Sequence, residues 1–196
     1  MIDGREWDTA DSVLVVADLC DQWDLGLVRY DADGLGGPIK GQARTMNDQR
    51  MANKRKPIPF REFRGSSSLV DPEKVFPGTA IKAIDYFENA KAQAWWWLRQ
   101  LFRNTYAVAL YWEAHKKLPE DFDASKIIVI RGNQPERARL CVELSQPVRT
   151  WSKTGKMMID KQPDDVASPN LADAVMMAFA PARVAIVVKD SHLGQS

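Results

Sequence analysis

Two carboxylates stand where acids can do chemistry. Asp31 follows the short β-prone run Leu27-Val28-Arg29-Tyr30 and leads directly into Asp33, Gly34, Gly36 and Gly37. The carboxyl end of a strand is where α/β sheets build their sites. If the strand continues that far, its two-residue period puts Asp33 on the same side as Asp31. Asp and Gly also dominate plain turns, so this segment alone leaves both readings open. Asp173 is the only acid in the apolar run Leu171-Ala-Asp-Ala-Val-Met-Met-Ala-Phe179. A carboxylate among small apolar residues is costly unless it is solvated, paired or bound to metal. Asn170 and Met177, three before and four after, lie on the same helical face as Asp173.

The charge distribution sets those acids in context. The chain has 196 residues and a formal net charge of +1, yet residues 1–48 hold 10 acidic and 4 basic side chains. The remainder carries 23 basic and 16 acidic residues. Its densest basic stretch is Arg50-Met-Ala-Asn-Lys54-Arg55-Lys56. An acidic patch beside basic surface is what an enzyme needs if it holds a divalent metal and grips a polyanion. Chance segregation of charge on a near-neutral surface produces the same arithmetic.

Several elements must position these residues. Val13, Val16, Ala17, Leu19, Cys20 and Trp23 recur at helical spacing, which predicts a helix over 11–24 capped by Thr9, Asp11 or Ser12 and ended near Gly26. Helix, the strand 27–30 and a Gly-rich turn at 31–38 suggest a parallel strand in an α/β sheet. Residues 47–80, rich in Pro, Ser, Gly and charge, read as a strand around 58–64 and a long loop. A long helix is expected from Asn89 to about Lys117. Its Trp95-Trp96-Trp97 triplet cannot face one way, because each residue advances about 100°. That helix reads either as core cover for a sheet or as a stacking platform for bases.

Ile127–Ile130 has the length and continuous apolarity of a strand covered on both faces. A short helix over 135–144 follows, then a β-hairpin of 148–151 and 156–159 about Gly155. Ser168 as N-cap and Pro169 at the first helical position predict a helix to about Ala180. A final strand at 184–188 and a frayed tail from 191 to 196 complete the reading.

Composition excludes several classes. The chain is 45% hydrophobic and 27% charged, with 11 Gly and 11 Pro, which is ordinary for a globular domain. It has no apolar run of about 18 residues that would span a bilayer. Met1 to Glu6 lacks the pattern of a secretory leader, so the expected location is the cytoplasm and no membrane is involved. Cys20 and Cys141 are too few for a disulfide framework or zinc site and are expected to be buried thiols. His115 and His192 have no visible partners. No phosphate-binding loop of the pattern Gly-x-x-x-x-Gly-Lys-Ser/Thr occurs.

Five segments together resemble a known family. Ser168-Pro-Asn-Leu-Ala-Asp-Ala174 is similar to the last motif of the nuclease domain of phage terminase large subunits, the DNA-packaging motor proteins. Tyr30-Asp31-Ala-Asp-Gly34-Leu-Gly36 is similar to that family's middle acidic motif. Phe87-Glu-Asn-Ala-Lys-Ala-Gln-Ala-Trp-Trp-Trp-Leu98 resembles the helix between them. Glu143-Leu-Ser and Gly155-Lys-Met-Met-Ile-Asp-Lys161 fit the same order. The resemblance covers about residues 5–185.

It implies an α/β, RNase H-like fold: a central mixed β-sheet flanked by helices, making one nuclease domain over 1–190 with a tail at 191–196. The implied activity is hydrolysis of double-stranded DNA at a two-metal site holding Mg²⁺ or Mn²⁺. Asp31 matches the middle acid and Asp173 the last, with Asn170 and, less closely, Asp33 beside the metal. For contact with DNA phosphates the basic residues expected near the site are Arg50, Lys54, Arg55, Lys56, Lys153, Lys156 and Lys161. The implied partners are the terminase ATPase domain, the small terminase subunit and the portal.

The match departs from the family at one place. The family's first acid lies upstream of the segment resembling Glu6-Trp-Asp-Thr9, and only seven residues precede Asp8. The expectation is therefore a domain lacking its first strand or strands, weak or inactive as a nuclease on its own. The alternative is a catalytically impaired DNA-binding or motor-docking module of the same fold. Another RNase H-like enzyme, such as a junction resolvase or transposase, fits the Trp-rich helix and the Ser-Pro-Asn motif less well.

Overall fold

The computed structural model describes residues 8–33, 36–130, 132–163 and 166–182. Helix α1 (Thr9–Gln22) begins at a capping box, in which Asp8 accepts from the N–H of Asp11 and Asp11 accepts from the N–H of Asp8. Strand β1 (Val28–Asp31) pairs in parallel with β2 (Phe60–Phe63), in the register Val28 to Phe60 and Asp31 to Phe63. The helix that crosses between them, α2 (Gly36–Ala52), corrects the expectation of a Gly-rich turn and loop. Its signal was present: Ile39, Ala43, Met46 and Arg50 recur on one helical face. Gly36, Gly37 and Pro38 obscured it, but Pro in a first helical turn gives up no hydrogen bond. Val13, Ala17 and Cys20 of α1 pack on Ala43 and Met46 of α2 and on Ile58. Asn47 clasps the entry to β2, accepting from the N–H of Ile58 at 2.8 Å and donating to its carbonyl at 2.8 Å.

A short helix, α3 (Ala83–Tyr86), precedes the long helix α4 (Ala90–His115). Asn89 caps α4 by accepting from the N–H of Ala92 at 3.0 Å, and Lys116 ends it in the left-handed region. Replacing Asn89 by alanine is expected to cost about 1 kcal/mol, read as a fall of roughly 2–4 °C in Tm by circular dichroism. Buried Gln93 clamps the preceding loop onto α4, exchanging two 2.8 Å hydrogen bonds with the backbone of Val70. Trp95 is buried while Trp96 and Trp97 are half-buried, so the triplet splits between core and groove as its helical spacing demands. Phe87 and Met157 anchor the core beneath, with Phe76 edge-on to Phe87 at 5.2 Å between centroids.

The expected short helix is α5 (Gln134–Ser145), which opens on a capping box from Asn133 and Glu136. Strands β3 (Val148–Trp151) and β4 (Met157–Asp160) form the expected antiparallel hairpin, with Gly155 at φ +77°. The last described element is α6 (Asn170–Phe179). Ala172 and Met176 of α6 share a core with Leu98 and Leu101 of α4 and Leu140 of α5.

Several expectations are corrected. Among the described residues Ile127–Ile130 pairs with no strand; the N–H of Ile128 is satisfied by the Thr105 hydroxyl at 2.8 Å, so an apolar run of strand length serves as a connector pinned at buried Ile128, with Val129 exposed. Cys20 is buried as expected, but Cys141 is exposed because α5 turns it away from Leu140. His115 is not without a partner: its ring stacks on Tyr111 and its Nδ1 lies 2.9 Å from the Tyr111 carbonyl. Among the described residues the sheet consists of two two-stranded pieces, one parallel and one antiparallel. The strand expected at 184–188, the tail at 191–196, the 190/191 boundary and His192 lie outside the described residues. Among the described residues no helix is long and apolar enough to cross a membrane.

Candidate active site

The end of β1 delivers two acids to one side. Tyr30 and Ala32 are buried while Asp31 and Asp33 are exposed, so the alternation expected of a strand holds through residue 33. Asp31 accepts from the N–H of Asp33 at 3.0 Å, which closes the turn. Asp33 accepts from the N–H of Ser66 at 3.2 Å and from its hydroxyl at 2.8 Å, tying the exit of β1 to the exit of β2. Gly65 is required at that junction by close approach: a Cβ there would lie 3.0 Å from the Lys91 Cβ and 3.1 Å from Asp33 Oδ2.

Helix α6 supplies the third acid, and charged side chains hold both of its ends. Ser168 does not cap it, and Pro169 at the N-cap has no side-chain donor or acceptor. Instead Glu143 of α5 accepts from the N–H of Leu171 at 2.6 Å and of Ala172 at 3.1 Å. Its other oxygen accepts from Arg139 Nε at 2.8 Å. Burial raises the Glu143 pKa, but the N–H groups of Ala172 and Leu171 and the Arg139 guanidinium outweigh it and hold the carboxyl below its ordinary range. At the far end Arg29 of β1 donates to the carbonyls of Met177 at 2.9 Å and Ala180 at 2.6 Å. Burial and the charge on nearby Arg61 lower the Arg29 pKa. Both contacts put charge of the correct sign at each pole of the helix dipole.

These contacts fix the relative direction of β1 and α6. Arg29 lies at the carboxyl end of α6, whereas Lys91 feels the charges of both Asp33 and Asp173. Strand and helix therefore run antiparallel, and the carboxyl end of β1 meets the amino end of α6. Asp173 is ion-paired there with Lys161, which follows β4; their side chains are 15% and 22% exposed. The second Asp173 oxygen, Oδ1, is buried without a hydrogen-bond partner among the described residues. Burial and the charge of Lys161 depress the Lys91 pKa, against the opposing pull of Asp173, Asp160 and Asp33. Sequence reasoning missed Lys91, Asp160 and the capping role of Glu143, since only the fold brings α4, α5 and the hairpin to this point.

The expected basic surface divides. Lys161 joins the acids. Arg50 does not: it is 8% exposed and pairs bidentately with Asp21 at 2.7 and 2.8 Å, and Arg55 pairs with the same carboxylate. That cluster stands at the opposite end of α2 from the β1 turn, roughly 20 Å along the helix axis, and Lys54 and Lys56 go with it. Lys153 and Lys156 sit at the hairpin turn, about 15 Å along β4 from Lys161. Asn170 occupies the first turn of α6 and is exposed.

The donor set fits a divalent cation in kind, since carboxylate oxygens are hard ligands and one of them is a buried acceptor without a partner. It falls short in number. Among the described residues no group of three His, Cys, Asp or Glu side chains is placed to hold a metal ion together.

A helix-flanked α/β domain with acids at a strand end and at the start of its last described helix shares its fold with solved terminase nuclease domains. The particular likeness is to the nuclease domain of the large terminase subunit gp2 of bacterial virus Sf6, with a TM-score of 0.73 and 24% identity over 90% of this chain and 74% of that one. A lysine-to-alanine variant of that domain with manganese has a TM-score of 0.69, covering 92% of this chain and 77% of that one. The corresponding variant with calcium has a TM-score of 0.67. No protein-family model and no curated protein matches the chain. Likeness at this identity shows the fold.

Proposed function

We propose that this chain is the nuclease part of a phage or prophage terminase large subunit, cutting double-stranded DNA with Mg²⁺ or Mn²⁺ held by Asp31 and Asp173. The observation that carries the reading is that Lys91 senses both Asp33, at the end of β1, and Asp173, whose Oδ1 is buried without a hydrogen-bond partner among the described residues. The fold supports it, and a domain of that fold has been solved with manganese. Bound divalent cations in such a site activate water and offset charge on the scissile phosphate. The chain's own residues have distinct tasks. Asp33 holds the loop after β2 through Ser66, which keeps Asp31 at its edge. Lys91 and Lys161 place positive charge beside the carboxylates, where a phosphodiester would need it. Asn170, three residues before Asp173 on one helical face, stands at the rim as an additional oxygen donor. The proposed setting is the host cytoplasm, with the ATPase domain, small subunit and portal as partners.

A second reading has its own support. Lys161 already satisfies one Asp173 oxygen, and no three of the acids are grouped to hold a metal ion together among the described residues. A DNA-binding or motor-docking module that has lost its metal site would look the same. Calorimetric titration with Mn²⁺ separates the two. The nuclease reading expects weak binding that disappears in Asp31→Ala and in Asp173→Ala, with slow plasmid nicking or none by this chain alone. Absence of Mn²⁺ binding, or binding unchanged by both substitutions, favours the docking module. Robust plasmid cleavage lost in Asp173→Ala would overturn the expectation of weak activity.

A further inference from the structure

A groove opens between α4 and the β3–β4 hairpin, with a volume of about 540 Å³. Trp95, Leu98 and Met157 form its buried floor, and Arg99, Arg103 and Arg149 contribute the charge. No carboxylate lines it, and none of these three arginines is ion-paired among the described residues. Other arginines are paired with acids: Arg50 and Arg55 share Asp21, Arg64 pairs with Glu62 and Arg139 with Glu143. Two groove arginines lie over indoles instead, with Arg99 Cζ 4.9 Å from the Trp96 ring centre and Arg149 Cζ 5.2 Å from that of Trp151. The Trp95 indole N–H is buried without an acceptor.

We infer that this groove binds an unpaired stretch of DNA, its bases against the apolar and indole surfaces and its phosphates on Arg99, Arg103 and Arg149. Guanidinium planes and indole faces stack on any base, and unneutralised arginines answer the one charge per nucleotide. The volume lies within the roughly 300–1,000 Å³ of pockets that enclose small ligands, so a base can enter. A duplex keeps its bases inside and cannot reach this floor. An acidic peptide would meet the arginines but gain nothing from the stacked faces.

The groove is also adjacent in the chain to residues around the acids. Ile159 lines it and is followed by Asp160 and Lys161, while Lys91 lies one α4 turn before Trp95. In function this rests on the nuclease reading, with a strand separated near the cut held beside Asp173; the binding itself needs no metal.

The test is fluorescence anisotropy of a labelled oligothymidylate of about 12 nucleotides, a length typical of single-strand sites, in EDTA. With three phosphate contacts the logarithm of affinity is expected to fall against log salt with a slope of about −2, and of about −0.7 in Arg99→Gln/Arg149→Gln. That double variant is expected to bind at least tenfold more weakly, and Arg103→Gln alone more weakly than wild type. A duplex of equal length is expected to compete poorly. The proposal falls if wild type does not bind, if the arginine variants bind unchanged, or if the duplex competes equally. Preference for a glutamate-rich peptide over the oligonucleotide overturns it as well. Because the assay contains no metal, loss of Mn²⁺ binding at Asp31 and Asp173 with oligonucleotide binding intact refutes only the proposed nuclease function.

Discussion

Replacing Glu143 by alanine is expected to lower the unfolding free energy by about 3 kcal/mol, seen as a fall in Tm of roughly 6–12 °C. The residue is 7% exposed, and its carboxylate satisfies two N–H groups at the start of α6 while pairing with Arg139. Alanine leaves those donors without their acceptor and removes the negative charge from the positive pole of the helix. Glu143→Gln keeps the acceptor but not the charge, so its loss is expected to be smaller. The pH dependence has a definite sign. A carboxyl held below its ordinary value stabilises the fold above the unfolded-state pKa and loses that contribution as pH falls through its folded one. The stability gap between wild type and Glu143→Gln is therefore expected to be full at neutral pH and to close below about pH 4. Thermal melts across that range check it. A gap that widens on acidification would contradict the assigned role.

Replacing Lys161 by alanine is expected to have two opposite effects, if Asp173 is a metal ligand. Without divalent cations the variant should lose about 2–3 kcal/mol, because a mostly buried carboxylate is left without its counter-ion. With Mn²⁺ the loss should be recovered, since the ammonium no longer competes for the same oxygen. Affinity should rise at least tenfold, about 1.4 kcal/mol. Melts with and without Mn²⁺, paired with calorimetric titration, measure both. A destabilised variant that Mn²⁺ does not rescue would make the pair purely structural and remove Asp173 from the proposed centre.

Much of this was legible from local pattern. The hairpin, α4, α5 and the parallel pairing of β1 follow from turn chemistry, capping residues and periodicity, all short-range signals. The face shared by Asp31 and Asp33 followed from the period of a strand. What escaped was long-range. Arg50 read as surface charge because nothing in sequence announces that Asp21, 29 residues earlier, will enclose it. Ser168 read as a cap because the actual acceptor, Glu143, lies 28 residues from Leu171. Ile127–Ile130 read as a strand because apolarity reports burial, and a threonine hydroxyl can satisfy a buried N–H as well as a neighbouring strand can. Helix α2 was hidden because glycines at its start carry the same letters as a turn.

The two clamps on α6 also bear on the order in which the molecule forms. Ten residues are too few for a helix to persist alone in water. One clamp spans 28 residues of chain and the other 148. Closing the longer loop carries the larger entropic cost, and non-local contacts are slow to form. Helix α6 is thus expected to form late in folding, when the first described strand meets the last described helix. The acid it carries is then expected to reach its place after the β3–β4 hairpin, whose contacts are local.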